Sequence, residues 1–256
     1  MLSHSLRIRE ARFAYLFGPP RHLKRDEGAQ IHARICDGLG LDDIGFSYSR
    51  ADQPTGLEQS GFAVRMQRSE GRGGLRIEIS SKAKGQPIRL LMVYEWPNGL
   101  EYAKQAFDAV AKAALDDARP PWAKVLAECR LMAHCEAPDQ DAVGFLSSNL
   151  ANVPRKWRED WGAGFSFAGL RFEVEASPTA ESIAHPKRAL SLEVLRSDPK
   201  NFFVELVSTW PQIFILRSED IQKVRPFSDP PSTYIADAYS FLTKRLDGIA
   251  AAESET

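Results

Sequence analysis

Apolar and polar residues alternate with a period of two at several places along this chain. In LRIEI, residues 75–79, Leu75, Ile77 and Ile79 alternate with Arg76 and Glu78, as expected of a half-buried strand. LSLEV at 190–194 does the same, with Leu190, Leu192 and Val194 on one side and Ser191 and Glu193 on the other. The next segments, IRLLMVYEW at 88–96 and FFVELVSTW at 202–210, are apolar at nearly every position. That predicts central strands covered, at least in part, on both faces. Each runs into Trp-Pro, at 96–97 and 210–211. Leu75 to Trp96 is 21 positions and Leu190 to Trp210 is 20, so the two passages share spacing as well as pattern.

A helical pattern follows each passage. YAKQAFDAVAKAAL begins at Tyr102 and YIADAYSFLTKRL at Tyr234. Superposing the tyrosines brings Ala106 onto Ala238, Phe107 onto Tyr239, Val110 onto Leu242 and Lys112 onto Lys244. Residues at offsets 0, 5 and 8 can share one helical face. Ser232 is the expected N-cap of the second helix and Gly248 its expected stop. Upstream, 6–17 and 123–135 alternate like strands, and 61–66 and 168–174 do so again. Between them, 21–39 carries a helical stripe of Leu23, Ile31, Ile35 and Leu39, and 139–151 carries Val143, Leu146 and Leu150.

These echoes predict an α+β fold built as a tandem duplication. Each unit is a strand, a helix, three or four antiparallel strands and a second helix, with the helices on one sheet face. The first unit spans 1–118, a linker 119–121 lies in DDARPP, and the second spans 122–256 with an insertion at about 212–231. The two sheets can join edge to edge into one curved sheet, which hides an edge strand. In strand and helix order alone the plan resembles saddle-shaped tandem folds such as that of the TATA-binding protein, and helix-grip folds more distantly. That resemblance implies architecture only.

Differences between the units nominate functional segments. The insertion after the second Trp-Pro holds Ile213, Ile215 and Arg217, readable as an edge strand or as a partner-binding arm. PRKWREDW places Trp157 and Trp161 four apart with Arg158 between them, a composition common at binding hot spots. It is also what a helix uses to clamp onto a sheet. Between 65 and 89, Arg65, Arg68, Arg72, Arg76, Lys82, Lys84 and Arg89 outnumber Glu70 and Glu78, a local excess of 7 − 2 = +5. A GRGG turn there could present arginines to a phosphate backbone. Without interleaved aromatics, single-strand binding is disfavoured.

Composition narrows the classes. Hydrophobic residues make up 43% of the 256 and charged ones 26%, ordinary for a globular protein, and a formal charge of −1 gives no whole-chain attraction to polyanions. The N-terminus lacks a basic segment leading into an apolar one, and no apolar run is membrane-length. Cys36, Cys129 and Cys135 are an odd, sparse set, as for reduced thiols, and a cytoplasmic location is expected. Phosphate-loop, dinucleotide, nucleophile-elbow and zinc-protease motifs are absent. Cys129 and Cys135 would share a strand face at roughly 20 Å separation, too far for one zinc ion. Glu78 and Glu193, matched in the two passages, read as surface residues before they read as an acid–base pair.

The expectation is therefore a non-enzymatic binding or assembly protein, a complex subunit whose partner is another protein, with no catalytic residue, metal, cofactor or membrane. Two readings stand beside it. One is nucleic-acid binding through Arg65, Arg68, Arg72 and Arg76. The other is a small-ligand sensor or enzyme with a cavity between the C-terminal helix and the sheet.

Overall fold

The computed structural model describes residues 2–18, 23–51, 61–71, 73–81, 87–115, 123–147, 169–174, 186–210 and 229–251. Nine strands form one antiparallel sheet: β1 (Arg7–Gly18), β2 (Gly45–Ala51), β3 (Gly61–Glu70), β4 (Gly73–Ser81), β5 (Ile88–Glu95), β6 (Ala123–Glu136), β7 (Gly169–Val174), β8 (Lys187–Val194) and β9 (Asn201–Thr209). The order across the sheet is β2-β3-β4-β5-β1-β6-β9-β8-β7. Outward from β1 come β5, β4, β3 and β2; outward from β6 come β9, β8 and β7. The β1–β6 ladder at the centre runs from Gly18 opposite Ala123 to Arg7 opposite His134, with irregularities between Ile8 and Glu10 and between Ala14 and Tyr15.

Four α-helices are described: α1 (Arg25–Leu39), α2 (Leu100–Leu115), the single turn α3 (Ala142–Phe145) and α4 (Pro231–Ala251). The three long ones lie in a row on one face, α1 over β2 and β3, α2 over β1 and β5, α4 over β6 and β9. The strand alternation dictates this. Phe13 and Tyr15 of β1, Leu90 and Met92 of β5, and Ile77 and Ile79 of β4 stand in register on the helix side and are buried. Cys129, Leu131 and Ala133 of β6 and Val204 and Leu206 of β9 continue the layer. Each large side chain so buried contributes about 1.5–3 kcal/mol relative to exposure. The absence of a side chain at Gly28 lets α1 settle on β3, since a methyl there would meet Val64 at 3.0 Å.

The helix ends are satisfied by specific partners. Glu27 accepts from the Lys24 backbone N–H at 2.8 Å, and Gly40, with φ of 63°, closes α1 through its N–H on the Asp37 carbonyl. α4 begins at Pro231, a residue with no amide proton to satisfy, and the Ser232 N–H donates to Asp108 of α2 at 2.8 Å. The short 3-10 turn Leu2–Ser5 is tied to α4 by Ser3, which donates from both backbone and hydroxyl to Asp247.

Several expectations are corrected. Ser232 lies inside the first turn of α4 rather than before it, and Gly248 does not end the helix, which continues to Ala251. Tyr102 is 41% exposed, so the buried stripe of α2 is Ala103, Ala106, Phe107 and Val110. Strand β2 was not anticipated. The proposed linker 119–121 and almost all of the insertion at 212–231 lie outside the described residues.

Candidate functional site

The other face of the sheet carries no described helix, and register places its residues in rows. One row crosses eight strands through Gln67, Arg76, Val93, Arg12, Arg130, Val207, Ala189 and Glu173. Its neighbour runs Arg65, Glu78, Leu91, Ala14, Glu128, Thr209 and Lys187. On the other side lie Glu95, Glu10, Met132, Glu205, Ser191 and Arg171. Basic and acidic residues of this face pair with each other. Arg65 meets Glu78 at 3.0 Å, Arg76 meets Glu95 at 3.9 Å, and Arg12 meets Glu10 at 3.0 Å. Arg130 Nε donates to Glu205 at 2.6 Å, while Glu173 bridges Arg171 and Lys187.

At the centre, Arg12 stands opposite Arg130 across the β1–β6 seam. Two like charges facing each other are unfavourable unless carboxylates surround them. Here Glu10 and Glu128, each two residues earlier on its own strand, and Glu205 from β9 do so. These side chains are partly buried, Arg12 at 26%, Glu10 at 16%, Arg130 at 29% and Glu205 at 18% exposure. The Arg12–Glu10 contact lacks hydrogen-bond geometry. Glu10 Oε1 and Arg12 Nε are buried without a hydrogen-bond partner, as is the hydroxyl of Ser208 on the opposite, helix-covered side. Buried polar atoms without a hydrogen-bond partner are uncommon in folded proteins.

A second cluster sits where β1 begins and β6 ends. The Arg9 guanidinium lies over the Trp96 ring at 3.9 Å, and its Nε donates to His134 Nδ1 at 3.1 Å. His134 stacks edge-on to Phe203. Burial, and then the Arg9 charge, hold the His134 pKa below its ordinary 6.5, so the ring is neutral with its proton on Nε2. Trp96 has a φ of 51° and is 42% exposed, an arrangement that an L-residue adopts only when its surroundings impose it.

No protein-family model matches this chain, and no curated protein matches it significantly in sequence. The site is therefore read from its own chemistry.

Of the residues nominated by sequence, Arg65 and Arg76 lie on this face, each paired with a carboxylate. Burial on its own would raise the Glu78 carboxyl, but hydrogen bonds from Arg65 and Ser80 and the charges of Arg65 and Arg89 hold it below the usual carboxylate range. Arg68 points to the helix side, between Asp43 and Glu70 at 3.1 and 2.9 Å. The structure thus separates Arg68 from Arg65 and Arg76. Arg72, Trp157, Arg158, Trp161, Ile213, Ile215 and Arg217 lie outside the described residues.

Glu78 and Glu193 are on β4 and β8, with β5, β1, β6 and β9 between them. Five strand spacings of about 4.8 Å put them more than about 24 Å apart, too far to share a proton. Cys129 and Cys135 face the buried helix side, where burial pushes both thiols up to about 12, and His134 faces the opposite way. Among the described residues there is no group of three or more His, Cys, Asp or Glu side chains that could hold a metal ion. Between α4 and the sheet the space is filled by Ile235, Ala238, Leu242 and Leu246.

Sequence reading missed Glu10, Arg12, Glu128 and Arg130. The signal was present: Glu-Ala-Arg at 10–12 and Glu-Cys-Arg at 128–130 are the same Glu-x-Arg, and in a strand both charged residues of that triplet share a face.

Proposed function

We propose that this chain is a non-enzymatic binding protein whose second sheet face, which carries no described helix and is centred on Glu10, Arg12, Glu128 and Arg130, engages a protein partner. The observation that carries the proposal is the charge pattern of that face. Its arginines and glutamates neutralise one another in ion pairs, and buried polar atoms at the centre lack hydrogen-bond partners. A balanced mosaic of both signs suits another protein surface, where complementarity sets register and specificity. A phosphate backbone calls for a one-signed field. Arg65 and Arg76, the residues on which nucleic-acid binding would depend, each lie beside a carboxylate, Glu78 and Glu95, that offsets their charge.

Under this reading the scaffold is a tandem duplication, and β1–β6 is the joint between its halves. Three features support that. Among the described strands, the order outward from β1 is repeated outward from β6, short of one strand. The Glu-x-Arg triplets meet at the seam. The Trp96 N–H bonds to the Arg9 carbonyl at 2.7 Å, and the Trp210 N–H bonds to the Ala127 carbonyl at 3.2 Å, so both Trp-Pro turns are anchored three residues before a Glu-x-Arg arginine. The Trp157, Arg158 and Trp161 segment and the arm with Ile213, Ile215 and Arg217 belong to the same proposal as additional contacts, tested by their own substitutions.

The test is affinity capture of the tagged protein from its own cells, with nuclease present, beside an Arg65→Glu/Arg76→Glu variant. A stoichiometric protein partner retained by the wild type and lost by the variant is the expected result. A partner released by nuclease would transfer the proposal to nucleic acid.

A further inference from the structure

β7 (Gly169–Val174) is the last strand of the sheet, and no described strand pairs with its outer edge. Natural proteins protect such edges with bulges, prolines or inward-pointing charges. β7 has no proline and no bulge, and its charges are one of each sign, Arg171 and Glu173. Its ladder to β8 runs from Gly169 opposite Glu193 to Val174 opposite Arg188 without a register shift. The large apolar side chains that stand exposed among the described residues are Trp96, Tyr102, Phe172 and Val174, and two of them are on this one short strand. Phe172 is 41% and Val174 45% exposed. The opposite edge, β2, offers Ser47 and Ser49 instead.

The strand's sequence is chemically palindromic. Around Phe172 the order is Leu170, Arg171, Phe172, Glu173, Val174. In an antiparallel pairing of two copies with Phe172 opposite Phe172, Arg171 faces Glu173 and Glu173 faces Arg171. Leu170 then faces Val174, and the two Phe172 rings meet on the twofold axis. Every cross-strand pair is favourable: two opposite-charge pairs, two apolar pairs and one aromatic pair. The charges are available for this. Arg171 and Glu173 are 63% and 44% exposed, and their ion pairs among the described residues are with each other and with Lys187. A slip of two residues in either direction would set Glu173 against Glu173 or Arg171 against Arg171, so the sequence specifies one alignment.

We infer that β7 is a homodimerisation edge: two copies of this chain pair antiparallel through β7, centred on Phe172, into a continuous eighteen-stranded sheet. The arrangement is isologous, as a closed dimer requires, and it removes an exposed edge from each chain. It does not involve the charge cluster at the β1–β6 seam, because β9 and β8 separate that seam from β7.

Sedimentation velocity from about 1 to about 100 µM tests this with three proteins: the wild type, Arg171→Glu and Glu173→Arg. The wild type dimerises with rising concentration. Each single reversal places two like-charge pairs across the edge and weakens the dimer by about tenfold or more. Mixing the two variants in equal amounts restores it. The first variant is acidic at both positions and the second is basic at both, so each cross-edge pair in the mixed dimer joins opposite charges. Recovery on mixing also establishes that both variants are folded. A wild type that stays monomeric throughout, single reversals that dimerise like the wild type, or a mixture that stays as weak as its components would each overturn the inference.

Discussion

At the scale of single residues, environment decides what the chemically interesting side chains can do. Cys129 and Cys135 are held as thiols by burial, and burial together with Asp37, Asp42 and Asp43 raises Cys36 as well. A thiol-reactive maleimide at pH 8 is therefore expected to label the half-buried Cys36 slowly. Cys129 and Cys135 should react only after denaturant is added; rapid native labelling of either would reveal an open route into the core. His134 behaves differently because it faces the open side. Its folded pKa lies below its ordinary 6.5, so the unfolded chain takes up a proton first as pH falls. The stabilisation from neutral His134 is therefore complete above about 6.5 and is lost as pH drops towards the folded value. His134→Gln keeps an acceptor for Arg9 without the titration. The wild type should lose more melting temperature than this variant between about pH 7 and about pH 5. Parallel losses would show that His134 does not contribute. The two Trp-Pro sites show how far residue identity alone misleads. Trp210 is 2% exposed and packs edge-on to Tyr234, whereas Trp96 is 42% exposed and lies under Arg9.

At the scale of elements, alternation made nearly every strand legible, because its two-residue period survives whatever surrounds it. β2 escaped because its alternation sets Phe46 and Tyr48 against serines, in a stretch bounded by Asp42 and Asp43 that reads as a turn. Register was less legible than existence. The sequence echo sets Leu75 against Leu190. Under the proposed duplication, with Trp96 set on Trp210, Ile77 opposite Met92 takes the place of Leu190 opposite Leu206, two residues along. A slip of two leaves every side chain on its own face, which is why hydrophobic patterning could not detect it. That slip also dissolves the apparent match of Glu78 with Glu193. Glycines give the sharpest test at this scale. Gly74 has a φ of 151°, and a methyl there would overlap the Arg68 carbonyl of the paired strand. Gly248 sits inside α4 with open space around it. Gly74→Ala should cost about 2 kcal/mol or more, and Gly248→Ala should gain up to about 1 kcal/mol, both read from urea midpoints. Equal effects would contradict the backbone described for the β3–β4 hairpin.

At the scale of the molecule, the described long helices lie on one sheet face, and charged side chains gather around the β1–β6 seam on the other. The α+β class and the one-sided helix layer were readable from composition and period. The site was not, because a strand's outward residues look like ordinary surface until register shows which ones meet. Glu10, Arg12, Glu128 and Arg130 are far apart in sequence and become one cluster only when β1 and β6 pair. The most direct measurement is quantitative capture from the protein's own cells, with nuclease, comparing wild type and Arg65→Glu/Arg76→Glu at matched melting temperature. These two side chains are 57% and 49% exposed, so their reversal changes the face without disturbing the core. The account predicts a nuclease-resistant, stoichiometric protein partner that the variant fails to retain. The same partner held equally by both proteins, or no partner on the wild type, would contradict it.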